Sequence, residues 1–255
     1  MVEKLKMFLG EDMLEVKNIN KYFDERKVLN NVNFSAKEGD VVALLGEDGA
    51  GKSTLLRILC GFLEASSGEV VWENLNIKFN RIEFLENVGY VQEISSMYGD
   101  FIVYNFLKFV ANIRKINEND IEDKIREVVE LLDLKNVIVQ KIETLSKGFK
   151  KRVELAAVLL SSPKILLLDE PTEGLDPNQK HSIRSIIKNY AKNHIVIMST
   201  HTMEDVEAIA SRVLLLQSGE LRIDEKISDF KKISGNSLLK SFRKITKDEV
   251  DNATI

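Results

Sequence analysis

Residues 46–54, GEDGAGKST, constrain the fold of this chain more than any other stretch. Gly46, Gly51, Lys52 and Ser53 fit the phosphate-loop frame G-x-x-x-x-G-K-[ST]. Such a loop works in one context, with a buried strand entering it and a helix leaving it. The flanks supply both: DVVALLG is a short apolar run ending at the loop, and KSTLLRILCGFL reads as a helix. In that setting glycines let successive N–H groups point inward at the positive end of a helix dipole. The candidate cradle is therefore Gly46, Glu47, Asp48, Gly49, Ala50, Gly51, Lys52, Ser53 and Thr54. Lys52 is placed to reach β- and γ-phosphates, and the Ser53 hydroxyl to bind Mg²⁺. Two of the variable positions are acids, Glu47 and Asp48, in a loop suited to anions. Side chains there can point away from the phosphates, so repulsion can weaken affinity without abolishing it.

The rest of the chain predicts an α/β fold. MLEVKNINKYF and KVLNNVNFSA alternate apolar and polar residues as half-buried strands do, with the polar DER between them. GEVVWENLNI and NVGYVQE read as shorter β-segments. From about residue 95 to 160 the period changes: Ile121, Ile125, Val128 and Leu132 recur at helical spacing, which marks a helical insertion. KILLLDE, HIVIMSTH and RVLLLQSGEL follow as apolar runs, separated by the helical NQKHSIRSIIKNYAK and TMEDVEAIAS. The first two runs are apolar on both faces, as parallel strands covered by helices must be. Strands alternating with helices give a mainly parallel sheet, whose ligands gather at the carboxyl ends of the strands. The phosphate loop, the DE pair and STH all fall at such ends.

ILLLDEP places Asp169 and Glu170 together at the end of a buried strand. Neighbours in a strand point opposite ways, which divides the labour: Asp169 for Mg²⁺, Glu170 for the attacking water. Gln92, after NVGYV, can contact Mg²⁺ or that water, although a lone loop glutamine is usually just solvated. His201 ends IVIMSTH at the same sheet edge and reads equally as structural or catalytic; His181 and His194 lie in polar contexts and read as surface. In LSKGFKKRVELAAVLL, Phe149, Val153, Ala156 and Leu160 form a helical stripe, with Ser146, Lys147 and Gly148 at its amino end. That end is either an ordinary cap or a second anion-binding element. Cys60, the single cysteine, excludes an internal disulfide and reads as a small buried side chain.

A net charge of −4 argues against nucleic acid as a partner. No apolar run approaches the roughly 18 residues that a membrane-crossing helix needs. MVEKLKMFLGED lacks a signal peptide's apolar core and cleavage site, and the sequon at Asn252 carries no weight in a cytosolic chain.

Taken together these motifs resemble the ATPase subunit of ABC transporters, the nucleotide-binding cassette. Their order is the phosphate loop at 46–54, Gln92, LSKGF at 145–149, ILLLDE at 165–170, GLDP at 174–177 and His201, within a resemblance over about residues 13–223. It implies a P-loop NTPase core with a mainly parallel sheet, an N-terminal antiparallel β subdomain and an inserted α-helical subdomain. Residues 1–225 would form the ATPase domain, with helices at about 95–160, and 226–255 a short helical appendage.

The family further implies that Phe23, rather than its neighbour Tyr22, stacks on adenine. Gln92 would contact Mg²⁺ and water and sense a transmembrane partner, Glu170 would be the base, and His201 would contact the γ-phosphate. Ser146 and Gly148 would bind the ATP held by a second cassette, and Asp176 would cross that interface. Two cassettes, identical or not, meet head to tail around two ATP molecules. The implied function is an ATP-hydrolysing subunit that powers transport through a separate permease, docked on the cytoplasmic face of the membrane. Lys147 and Phe149 depart from the usual LSGGQ signature; Lys147 would add charge near the partner's phosphates or face solvent. LSKG, DFIVYNFLKFVANIRKI and SLLKSFRKIT resemble the ABC-2-type exporters, which implies export. The alternatives are a non-transport ABC ATPase, such as an iron–sulfur assembly component, and a regulator without turnover, against which Glu170 and His201 stand.

Overall fold

A computed structural model of the protein describes residues 13–94 and 97–247. The segment MVEKLKMFLGED and the Asn252 sequon lie outside the described residues. The first strands, β1 (Met13–Phe23) and β2 (Arg26–Lys37), pair antiparallel across a turn at Asp24 and Glu25. Strand β4 (Ser67–Trp72) lies on the other side of β1, followed by β5 (Leu75–Asn76). The second sheet has the order β10-β9-β3-β8-β7-β6. Its parallel members are β3 (Val41–Leu45), β6 (Val88–Val91), β7 (Ile165–Asp169), β8 (Ile195–Thr200) and β9 (Arg212–Gln217).

The central strands are apolar at every position because each is the wall of two cores. Val41, Ala43 and Leu45 of β3 face one cluster, together with Leu166 and Leu168 of β7 and Val196 and Met198 of β8. Val42 and Leu44, Ile165 and Leu167, and Ile195 and Ile197 face the other. The period of two that alternates polar and apolar in a half-buried strand here alternates between two apolar layers. One layer is closed by the antiparallel sheet with helices α1 (Lys52–Leu59) and α2 (Arg81–Glu86). The other is closed by α3 (Val103–Ile113), α4 (Glu118–Leu131), α5 (Lys147–Leu159), α6 (Pro177–Tyr190) and α7 (Met203–Ile209). Ile121, Ile125, Val128 and Leu132 are all buried, as their spacing predicted. Helices α8 (Ile227–Lys232) and α9 (Leu238–Lys247) bury Phe230 and Leu238 in the same cluster as Val206 and Ile209.

The structure departs from the sequence reading at three boundaries. Helix α1 stops at Leu59 rather than running on to Leu63, because the chain turns at Gly61, which takes φ 71°. RVLLLQSGEL is a hairpin rather than one strand: β10 (Glu220–Lys226) returns antiparallel to β9 across Ser218 and Gly219, at φ 48° and 81°. Positive φ at both central residues is the two-residue turn whose twist suits a hairpin. Helix α2 was not expected; Phe84 alone among its residues is buried. Among the described residues no helix is long and apolar enough to cross a membrane.

Candidate functional site

Adjacent parallel strands in register end at the same height, and here that alignment assembles the site. Leu45 pairs with Thr200, Asp169 with Ser199, and Val91 with Leu168. The phosphate loop, Gln92–Glu93, Asp169–Glu170 and His201 therefore leave one edge of the sheet together.

The loop's glycines are required by what surrounds them. A Cβ at Gly46 would run into the Leu216 carbonyl oxygen. Gly51 caps α1 at φ 107°, and a Cβ there would lie 2.8 Å from Leu29 Cδ2. Lys52 is buried, and its ammonium donates to the carbonyl oxygens of Gly46 (2.7 Å) and Glu47 (3.0 Å). Glu47 and Asp48 are both exposed. The Ser53 hydroxyl donates to Asp169 Oδ1 at 3.2 Å.

Asp169 is buried at the last position of β7, and its oxygens are shared. Oδ1 accepts from the Ser199 hydroxyl at 2.5 Å, and Oδ2 accepts from the Tyr90 hydroxyl at 3.3 Å. Burial, and then the Asp169 charge, push the Tyr90 phenol above its ordinary range. Glu170 diverges from Asp169 for a different reason than strand alternation: the chain has left the sheet, and Glu170 takes φ 45° with its N–H donating to Ser199 Oγ at 3.2 Å. Its Oε1 lies 3.0 Å from His201 Nδ1. Burial raises the Glu170 carboxyl above the usual carboxylate value, against the opposing pull of His201. The same contact, above all its hydrogen bond, raises the His201 imidazole. The loop beyond Glu170 is pinned from below: Thr172 Oγ1 donates to buried Asp205 at 2.5 Å, and Arg184 Nε donates to the same carboxylate at 2.7 Å.

These groups wall an open cavity of about 600 Å³. Asp48, Gly49, Gly51, Lys52, Ser53 and Thr54 face it, as do Glu170 and His201, whereas Gly46, Glu47, Ala50 and Asp169 are not among its walls. Phe23 is a wall and Tyr22 is not, although the two rings are almost equally exposed (45% and 44%). Gln92, too, is not among the cavity's walls. Lys151 Nζ donates to its backbone carbonyl at 2.7 Å, its side chain is exposed, and the next residue, Glu93, forms the wall instead. Sequence reasoning also missed Arg26 and Glu173, both walls.

Ser146, Gly148 and Asp176 lie apart from this cavity, where two helix N-termini meet. Ser146 caps α5, its Oγ accepting from Phe149 N–H at 3.4 Å. Asp176 caps α6 and accepts from the N–H groups of Asn178 and Gln179, each at 3.0 Å. A Cβ on Gly148 would collide with the Gln179 side chain, and one on Gly174 (φ 66°) with Lys147 Nζ. Lys147 thus folds over the GLDP turn of its own chain. Of the remaining singled-out residues, Cys60 is half-buried at the end of α1, where burial pushes its thiol up to about 11. His181 is exposed, while His194 is half-buried and stacked on Tyr190 with centroids 4.0 Å apart, a structural contact rather than a solvated surface residue.

Residues 29–173 match the family described as "ABC transporter". The methionine import ATP-binding protein MetN of Clostridium acetobutylicum is 34% identical over 88% of this chain and 75% of its own. The lantibiotic transport ATP-binding protein SrtF of Streptococcus pyogenes is 33% identical over 84% of this chain and 91% of its own. Among solved structures, the bacterial ABC transporter cassette MJ0796, described as dimeric, superposes with a TM-score of 0.74 at 25% identity, covering 84% of this chain and 98% of that one.

Proposed function

The chain belongs to the ABC transporter ATP-binding family, and on that premise we propose that it is the ATP-binding and hydrolysing subunit that powers a separate membrane permease. The observation that carries the catalytic part is Glu170. It is a partly buried carboxylate with a raised proton affinity, held 3.0 Å from His201 on the wall that faces the phosphate loop. A carboxyl so tuned accepts a proton from an attacking water more readily than an ordinary one. We assign Glu170 as the base and His201 as the group that orients it and meets the terminal phosphate. Lys52, buried and already hydrogen-bonded to loop carbonyls, is assigned to the β- and γ-phosphates. Phe23 is assigned to the adenine face, since its ring walls the cavity.

The donor set fits Mg²⁺. Ser53 and Asp169 offer hard oxygen ligands already 3.2 Å apart, one of them a buried carboxylate. Mg²⁺ bound there neutralises phosphate charge. Glu93, the wall residue next to Gln92, takes over in our reading the water- and metal-facing place first expected of Gln92.

Ser146, Gly148 and Asp176 lie away from the cavity of their own chain, which supports their action on ATP held by a second cassette. The partner cassette, of the same or a different chain, would then close head to tail on this one. The LSKG form supports export, whereas one relative is an importer by name. We place the chain on the cytoplasmic face of the membrane through its permease. Solubilised from native membranes in mild detergent, it is expected to co-purify with an integral membrane protein. Recovery as a soluble complex without one contradicts transport and favours a non-transport ABC ATPase.

A further inference from the structure

The cavity contains a further carboxylate that the motifs do not assign. Glu173 follows Glu170 by three residues, and its N–H donates to the Glu170 carbonyl oxygen at 3.2 Å, closing a turn over Pro171 and Thr172. The turn returns Glu173 to the same wall. Its Oε2 lies 3.7 Å from His201 Nε2, while Nδ1 of that ring lies 3.0 Å from Glu170 Oε1. One ligand-type atom from each of the three side chains lies within 4.8 Å of the others. The turn cannot drift, because Thr172 in its middle is tied to Asp205, which Arg184 holds. The His201 side chain is 53% exposed, so a ring held through Nδ1 alone is free to tilt. A carboxylate beside the opposite nitrogen, at ion-pair rather than hydrogen-bond distance, restrains that tilt through its charge.

We propose that Glu173 is a positioning residue that holds the His201 imidazole from its Nε2 side, keeping the ring aimed into the cavity where the terminal phosphate of ATP arrives. The inference rests on the reading of His201 above. Asp48 from the phosphate loop and Glu170 and Glu173 beyond β7 act on the ring; the same cavity holds Lys52 from α1, Arg26 from β2 and Glu93 beyond β6, and Lys52 and Asp169 act on Glu170. Glu204 of α7 is turned to Arg184 at 3.7 Å. The Glu170 hydrogen bond first, and then the charges of Glu170, Glu173 and Asp48, favour the protonated ring. At 3.7 Å the Nε2–H is not committed to Glu173, so it can donate to an arriving phosphate oxygen while the Glu173 charge stays beside the ring.

The test compares Glu173→Ala and Glu173→Asp in the full chain, each alone and with His201→Ala. Because Glu173 is exposed, both replacements are expected to keep the wild-type melting temperature. Glu173→Ala should lower kcat by about two- to fivefold, with the KM for ATP changed less than twofold, the scale of one lost, partly exposed ion pair. Removing the carboxylate lowers the proton affinity of the ring, so the fall of kcat on the alkaline side should move to lower pH. Glu173→Asp should restore most of the rate, and Glu173→Ala should cost nothing further once His201 is Ala. A wild-type kcat with a superimposable pH profile overturns the inference, as does an equal loss without His201. Full turnover by His201→Ala alone overturns instead the role given to His201.

Discussion

Gly51 sits at φ 107° with Leu29 Cδ2 where a Cβ would need to go, so the turn into α1 depends on having no side chain. Gly51→Ala is expected to lose about 2 kcal/mol or more of stability, read as a lower urea midpoint at unchanged slope. Asp48 poses the opposite case. It walls the cavity yet stays exposed, and nothing in the loop's geometry needs its charge. Asp48→Asn is expected to tighten ATP binding by a few-fold at low salt and by less at high salt, because an exposed charge is screened. Calorimetric titration at two salt concentrations checks both halves of that expectation. The intact glycines, Lys52 and Ser53 were legible in GEDGAGKST. Which of Gln92 and Glu93 faces the cavity was not legible, because β6 ends at Val91 and the strand's alternation ends with it. Glu173 had a weak signal, since Pro171 within EPTE favours a turn that returns the second acid to the first.

At the scale of elements, the apolar runs predicted the central strands because burial between two layers leaves few polar positions to confuse the period. Strand ends also placed the phosphate loop, Asp169–Glu170 and His201 on one edge, since parallel strands in register finish together. What escaped was set by contacts distant in sequence or by single backbone angles. Helix α2 buries only Phe84 and so shows no apolar stripe, and α1 ends at a positive-φ glycine inside an apolar run. The Ser-Gly pair at 218–219 was a readable hairpin signal that the apolar run obscured. The tie between Thr172, Asp205 and Arg184 joins the β7–α6 loop to α7 and α6 and could not be read from spacing at all. Asp205 is 1% exposed, so Asp205→Ala leaves a largely buried guanidinium without that partner and should cost about 3–5 kcal/mol. The same variant should lower turnover at temperatures where it is still folded, because the turn that presents Glu170 loses its anchor. Denaturation and ATPase assays on one preparation separate the two effects.

At the scale of the whole molecule, we read two regions as meeting phosphate, on different elements. One is the cavity at the sheet edge; the other is the pair of helix N-termini at Ser146 and Asp176, which the cavity does not include. Lys147 lies over Gly174, so the signature end of α5 touches the loop that runs from Glu170 to Asp176. A chain that used only its own residues would leave the second region idle. In the head-to-tail pair that we propose, both would meet ATP, and ATP that binds the closed pair more tightly than the open one would supply the energy for closing. Hydrolysis through Glu170 then allows reopening. Glu170→Gln tests this most directly, with ATP binding, turnover and mass in solution measured on the same sample. The expected result is wild-type ATP affinity, turnover reduced by roughly 10²–10⁴-fold, and a dimer that appears only with ATP. Retained turnover, or a monomer at saturating ATP, would contradict the account.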